Sequence, residues 1–131
     1  MLEILKHLVI TEIVEIVVAY ALGITEKKNI KLIFMINAIT NIMLNALLIF
    51  VVSKQVLYLS GYTGISIFIW YNTIVILFEI IIVFIEAAFY YDNVDLGNKY
   101  IFNIKIDKFG SYLLISLILN ISSIIVGILI D

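Results

Sequence analysis

Hydrophobic residues run along this chain in four long stretches, separated by short polar interruptions. A helix needs roughly 20 mostly apolar residues to cross the hydrocarbon core of a bilayer. Four segments meet that need: 8–24, 30–52, 65–91 and 110–130. The first is short and the third long, so tilt or local thinning of the bilayer is expected to absorb the mismatch. Gly23 with Glu26, Lys27 and Lys28 closes the first stretch, Gly61 and Gly64 precede the third, and Asp92 to Lys108 separate the last two. The pattern predicts an all-α, four-helix transmembrane bundle forming a single domain over residues 1–131.

Polar residues inside the stretches fall on one edge of each predicted helix. Span three carries Asn72, Glu79 and Glu86 at i, i+7 and i+14, and span two carries Asn37, Asn41 and Asn45 at i, i+4 and i+8 with Thr40 beside them. On span four Ser116, Asn120, Ser123 and Gly127 repeat the idea. On span one Thr11 and Glu15 share a face, with Glu12 about 60° from Glu15 around the helix. Lipid cannot satisfy such groups, so the polar edges are expected to face the bundle interior or a partner.

The order of these edges is that of a repeated hairpin. Glu15-x-x-x-x-Tyr20 is echoed by Glu86-x-x-x-x-Tyr91, and Asn37-x-x-Thr40 by Asn120-x-x-Ser123. Two hairpins of equal orientation would be related by an axis along the membrane normal, as in parallel-repeat transporters. Duplication and coincidence in a strongly biased composition both account for the match. The Glu-x-x-x-x-Tyr span end together with Asn37-Ala-Ile-Thr40-Asn41-x-x-x-Asn45 resembles small four-span prokaryotic membrane proteins of unassigned function. In those proteins a proline often follows the Thr-Asn pair; Ile42 stands there in this chain, so a kink in span two does not carry over. The resemblance implies the four-span arrangement and no activity.

Composition supports the membrane assignment. The 131 residues are 64% hydrophobic, with a mean hydropathy of +1.20 and neither proline nor cysteine. A soluble domain of this size buries only about two-thirds of the surface its unfolded chain exposes, too little to hide so much apolar area. The absence of cysteine excludes disulfides, thiolate metal sites and thiol nucleophiles. A net charge of −2 with no basic stripe argues against nucleic acid. The expected partners are the lipid bilayer and either further copies of the chain or another membrane protein.

Charge also suggests an orientation. Loops one and three hold Lys27, Lys28, Lys31, Lys99, Lys105 and Lys108, whereas Lys6 and Lys54 lie on the other side. The positive-inside rule then puts these loops in the cytoplasm and both termini outside a multi-pass cell-membrane protein. Aromatic belts agree: Tyr58, Tyr62, Trp70 and Tyr71 at the outer level, Tyr20, Tyr90, Tyr91, Phe109 and Tyr112 at the inner one. Ala19-Tyr20-Ala21 looks like a signal-peptidase site, but Glu12 and Glu15 would interrupt the required apolar region, so the span is expected to be retained. In loop three Tyr100, Phe102, Ile104 and Ile106 alternate with Ile101, Asn103, Lys105 and Asp107, a period suited to a short strand or an interfacial segment. Such a segment serves as a lid or docking element, or merely anchors the loop in the headgroups.

Candidate chemistry resides in the carboxyls. Of six glutamates, Glu12, Glu15, Glu79 and Glu86 lie within spans, where neither a lysine nor His7 lies deep enough to pair with them. A carboxyl without a counter-ion in a dry bundle must keep a proton or hold a cation. Glu15 and Glu86 are therefore the leading ion- or proton-binding candidates, with Glu12 and Glu79 beside them and Asn37, Asn120, Thr40 and Ser123 supplying oxygen ligands suited to protons or hard cations. Asp92 and Asp95 would either gather cations at an inner mouth or simply be solvated. Asn41, Asn45 and Gly127 read as helix-packing residues, since interhelical amide bonds contribute about 1 kcal/mol each. An enzyme finds no support, because no Ser–His pair, His-Glu-x-x-His helix or cysteine is present. No cofactor is expected beyond a bound cation. A small cation- or proton-coupled transporter or channel, dimeric if it conducts, leads over a non-catalytic assembly subunit that uses the polar edges as contacts.

Overall fold

The computed structural model describes residues 2–49, 53–96, 100–101, 104–106 and 108–130. Among them the elements are α1 (Leu2–Ala21), α2 (Lys27–Leu47), α3 (Ser53–Thr63), α4 (Ile67–Asn93), a two-stranded antiparallel hairpin of β1 (Tyr100–Ile101) and β2 (Ile104–Lys105), and α5 (Phe109–Ile130). α2, α4 and α5 as far as Val126 are long and apolar enough to cross a membrane. α1 is of similar length but carries Lys6, Glu12 and Glu15, and it stands apart from those three. The short helix α3 falls between the expected spans; it packs against α4, Val56 is buried, and its Thr63 hydroxyl accepts the Trp70 indole N–H at 2.9 Å.

Local sequence fixes the first turn. Gly23 sits at φ +83°, a left-handed conformation that costs other residues energy. The Gly23 N–H then bonds to the Tyr20 carbonyl at 2.9 Å, and the Ile24 N–H to the Ala19 carbonyl at 3.0 Å. These two bonds form a Schellman cap, sealed by apolar contact between the residue beyond the glycine and the last turn. Ile24 and Ala19 are both fully buried and belong to the same core cluster.

The four long helices close in a ring: α1 lies against α2 and α5, and α4 against the same two. The apolar core is not central. It gathers Ala19, Ile24, Ile33, Tyr90, Leu96 and Leu119, with neighbours from the hairpin, at the end where α1 turns into α2 and α4 into α5. Asn29, fully buried, ties the two connections together by donating to the Asp95 carbonyl at 2.6 Å and to the Glu26 carboxyl at 3.1 Å. Lys27, Lys28, Lys31, Lys105 and Lys108 are exposed around this plugged end.

Two expectations change here. Tyr90 and Tyr112 do not line the surface: Tyr90 is 1% exposed, and Tyr112 is buried with its hydroxyl donating to the Val94 carbonyl at 3.2 Å. Tyr20, Tyr91 and Phe109 are exposed as expected of belt residues. Loop three is not one alternating strand. Its hairpin pairs Tyr100 with Lys105 and Ile101 with Ile104, which resets the alternation so that Ile101 and Ile106 both enter the core. Lys99, Phe102, Asn103 and Asp107 lie outside the described residues. Asp92 and Asp95 are exposed beside the apolar plug, as loop solvation expects.

Elsewhere the helices present large apolar side chains outward. Ile39 and Ile42 on α2, Ile76 and Ile80 on α4, and Leu117 and Ile125 on α5 are all substantially exposed. Contiguous apolar surface on this scale exceeds what soluble monomers tolerate and calls for lipid or a partner.

Gly23→Ala should lower stability by about 1 kcal/mol, because an added methyl meets no other atom and the cost is that of the left-handed backbone. Gly61→Ala, inside α3 and equally open, should be neutral or stabilising. Thermal unfolding of the two variants in detergent distinguishes these effects.

Candidate functional site

Beneath the apolar plug the four long helices each contribute polar side chains to one layer. Glu15 from α1 is 2% exposed and Glu86 from α4 is 1% exposed. The Asn37 side-chain amide on α2 donates to the Glu15 carboxyl, and the Tyr90 hydroxyl donates to the Asn37 carbonyl oxygen. Glu86 receives three donors: Thr40 Oγ1 on its Oε1 at 2.6 Å, and Ser116 Oγ at 2.9 Å and Asn120 Nδ2 at 2.5 Å on its Oε2. The buried Ser123 hydroxyl donates to the Asn120 carbonyl on its own helix at 2.9 Å.

These contacts cross between the two helical hairpins. Each glutamate takes the amide of the asparagine in its own hairpin, and Glu86 also takes the Thr40 hydroxyl from the other. Thr40 has a second option, because its Oγ1 lies 2.9 Å from the Asn37 carbonyl. A hydroxyl has one proton and two lone pairs. Thr40 can therefore donate to an ionised Glu86, or turn its proton to the backbone and accept from the un-ionised acid.

The correspondence is incomplete in an informative way. Ser116 stands four residues before Asn120, where Ile33 precedes Asn37, so only Glu86 receives the extra hydroxyl. Tyr90 stands four residues after Glu86, whereas Ala19 follows Glu15. The first hairpin alone carries Glu12, whose Oε1 accepts the Asn41 amide at 3.1 Å. Val83 and Ile124 occupy the equivalent places. Glu12 is 5% exposed, and its Oε2 is buried without a hydrogen-bond partner among the described residues. A bare carboxylate oxygen in that position is costly unless it bears a proton.

The remaining candidates lie apart from the layer. Glu79 is half-buried in a groove between α4 and α5, not hydrogen-bonded within the cluster. One heptad along a straight helix turns a residue by about 20° and moves it roughly 10 Å, which separates Glu79 from the Glu86 layer. Asn72, a further heptad away, is also half-buried. Asn41 bonds across helices as a packing residue should, but Asn45 donates to the Asn41 carbonyl on its own helix at 2.9 Å. The surroundings of Gly127 lie outside the described residues.

Two members were missed as site residues. Ser116 was visible on the polar edge of span four. Tyr90 is expected in the inner aromatic belt, yet a spacing of four from Glu86 puts it on the carboxyl's face of the helix. Among the described residues no three His, Cys, Asp or Glu side chains gather as a metal-ligand set.

Removing the Tyr90 hydroxyl leaves the buried Asn37 oxygen without its donor. Tyr90→Phe should destabilise the fold by about 1 kcal/mol or more, whereas Tyr91→Phe, half exposed at the surface, should change it by less than about 0.5 kcal/mol. Equilibrium unfolding in mixed micelles compares the two.

Comparison of the chain with protein-family models, curated proteins and solved structures finds no match, and the functional reading rests on this geometry.

Proposed function

We propose that the chain is a four-span cell-membrane protein in which Glu15 and Glu86 are the exchangeable proton sites of a small proton-coupled transporter or channel. α1 is taken as the fourth span. Its carboxyls at 12 and 15 face inward, while Val9, Ile13 and Val17 form an exposed stripe at i, i+4 and i+8 suited to lipid. The exposed lysines around the plugged end favour placing that end in the cytoplasm, with both termini outside.

The supporting observation is the switchable Thr40 hydroxyl. A carboxyl that only glues helices needs one set of partners. Thr40 offers Glu86 a partner in both protonation states, without movement of the helices. The donor set also favours a proton over a metal ion, since amide N–H groups aim at the carboxyls and the Asn37 oxygen is occupied by Tyr90. With an apolar plug at one end, turnover would require the two hairpins to rock about the layer, as parallel-repeat transporters do. A second copy could supply the conduit instead.

The competing role is that of a membrane subunit without transport. The Asn41–Glu12 bond between α1 and α2 favours it, because that contact reads as packing. Proteoliposomes loaded with a pH-sensitive dye separate the two. Under an imposed proton gradient the wild-type protein should acidify or alkalinise the lumen, and Glu86→Gln, which keeps hydrogen bonding but cannot titrate, should abolish the response while remaining folded. Flux that survives in Glu86→Gln, or none in the wild type, assigns the layer to assembly.

A further inference from the structure

Burial within the bundle falls off from the carboxyl layer toward the end poor in lysine. On α2 Asn37 is fully buried, whereas Asn41 and Asn45, one and two turns farther on, are half-buried. On α1 Glu15 and Glu12 are buried, and Thr11 and Leu8 beyond them are half-buried. The other side of the layer is closed by Ala19, Tyr90 and Leu119 of the apolar core. Glu12 therefore stands between the layer and the less enclosed end. Its Oε1 accepts the Asn41 amide at 3.1 Å, but its Oε2 is buried and meets no hydrogen-bond partner among the described residues. Packing explains the first oxygen and leaves the second without a role.

We propose that Glu12 is the residue through which protons enter the layer, taking them from the lysine-poor end and passing them to Glu15. The inference rests on the reading of Glu15 and Glu86 as exchangeable proton sites. Both oxygens of Glu86 already accept donors, and Glu15 accepts the Asn37 amide. Glu12 Oε2 can gain a proton without first giving up a hydrogen bond. Glu12 and Glu15 are neighbours at i and i+3, roughly 4.5 Å apart along the axis, which brings their carboxyls within reach across one turn. A hydronium ion arriving from the lysine-poor end gives its proton to Glu12 Oε2 and leaves as water. The Glu12 O–H bond then breaks as one forms on an ionised Glu15, and Glu12 is left as a carboxylate. Among the described residues the titratable groups acting on this pair are the two themselves and Glu86; Asn37 and Asn41 face them from α2, and α5 carries no lysine, histidine or acid. Like charges in a low-dielectric layer resist joint ionisation, so the three carboxyls exchange protons as one coupled set. Val83 stands at the place equivalent to Glu12 in the second hairpin, so entry runs through the first hairpin alone.

Deuterium exchange reads this step without any flux. The full-length protein in lipid nanodiscs is mixed with D2O, and the carbonyl band of its un-ionised acids is followed by infrared spectroscopy as O–H becomes O–D. Glu12→Gln should slow exchange of the remaining acids by roughly tenfold or more, the scale of a lost, positioned proton carrier. Glu12→Leu, which buries no group in need of a partner, should slow it as much. Glu12→Asp, which keeps a carboxyl, should restore most of the wild-type rate. Loss of packing alone would loosen the bundle and speed exchange, so slowing marks a missing carrier. Exchange at the wild-type rate or faster in both Glu12→Gln and Glu12→Leu overturns the proposal and leaves Glu15 and Glu86 as proton sites reached by another route. Equal slowing in Glu12→Asp also overturns it, because the effect then does not follow the carboxyl. A wild-type spectrum without an acid band instead removes the reading of Glu15 and Glu86 on which the proposal rests, so the two failures are told apart.

Discussion

Two carboxyls removed from both water and lipid, with no lysine or histidine paired to them among the described residues, set the terms for the rest of this fold. Neither Glu15 nor Glu86 can be left bare, because an unsatisfied acidic group in a low-dielectric interior costs several kcal/mol. Each must be met by neutral donors, and no single helix can supply them. The donors come from α2 and α5, which lie on either side of both acid-bearing helices. The ring of helices is thereby fixed in order and in rotation, since turning any member by one residue would withdraw a donor from the layer.

That layer divides the molecule into unlike halves. On one side the Schellman-capped turn at Gly23, the Asn29 bridge and the β-hairpin residues Ile101 and Ile106 build a dense apolar plug. On the other side the packing is looser: α3 buries little beyond Val56, and Tyr58 and Tyr62 stand well exposed. Glu12, with its unpartnered oxygen, lies one turn from Glu15 on that looser side. The layer is closed toward the end rich in lysine and less enclosed toward the other.

Much of this was legible in the sequence because membrane helices write their interiors plainly. Where most positions are apolar, a polar residue marks a face, and the periodicities of Asn37–Thr40 and Asn120–Ser123 placed both pairs inward. The shared Glu/Asn order of the two hairpins was legible for the same reason, although the crossing of the Thr40 hydroxyl to Glu86 was not, since spacing along one helix says nothing about which neighbour a side chain meets. Glu79 shows the limit of heptad reasoning: it shares a nominal face with Glu86, yet the drift of a straight helix and the approach of α5 leave it in the groove. Tyr90 reads as a belt residue from its place near the end of span three, although its spacing from Glu86 turns it inward. In loop three the pairing of Ile101 with Ile104 resets the alternation, so that Ile101 and Ile106 both point inward.

The central claim is that Glu15 and Glu86 sit in the protein as uncharged acids that can give up a proton. Infrared spectroscopy at neutral pH, without added cations, reads this directly through the carbonyl stretch of an un-ionised carboxylic acid in apolar surroundings. The account predicts such a band in the wild-type protein, with Glu15→Gln and Glu86→Gln each removing part of it. A spectrum showing only carboxylate absorption, or a band untouched by both substitutions, would contradict it.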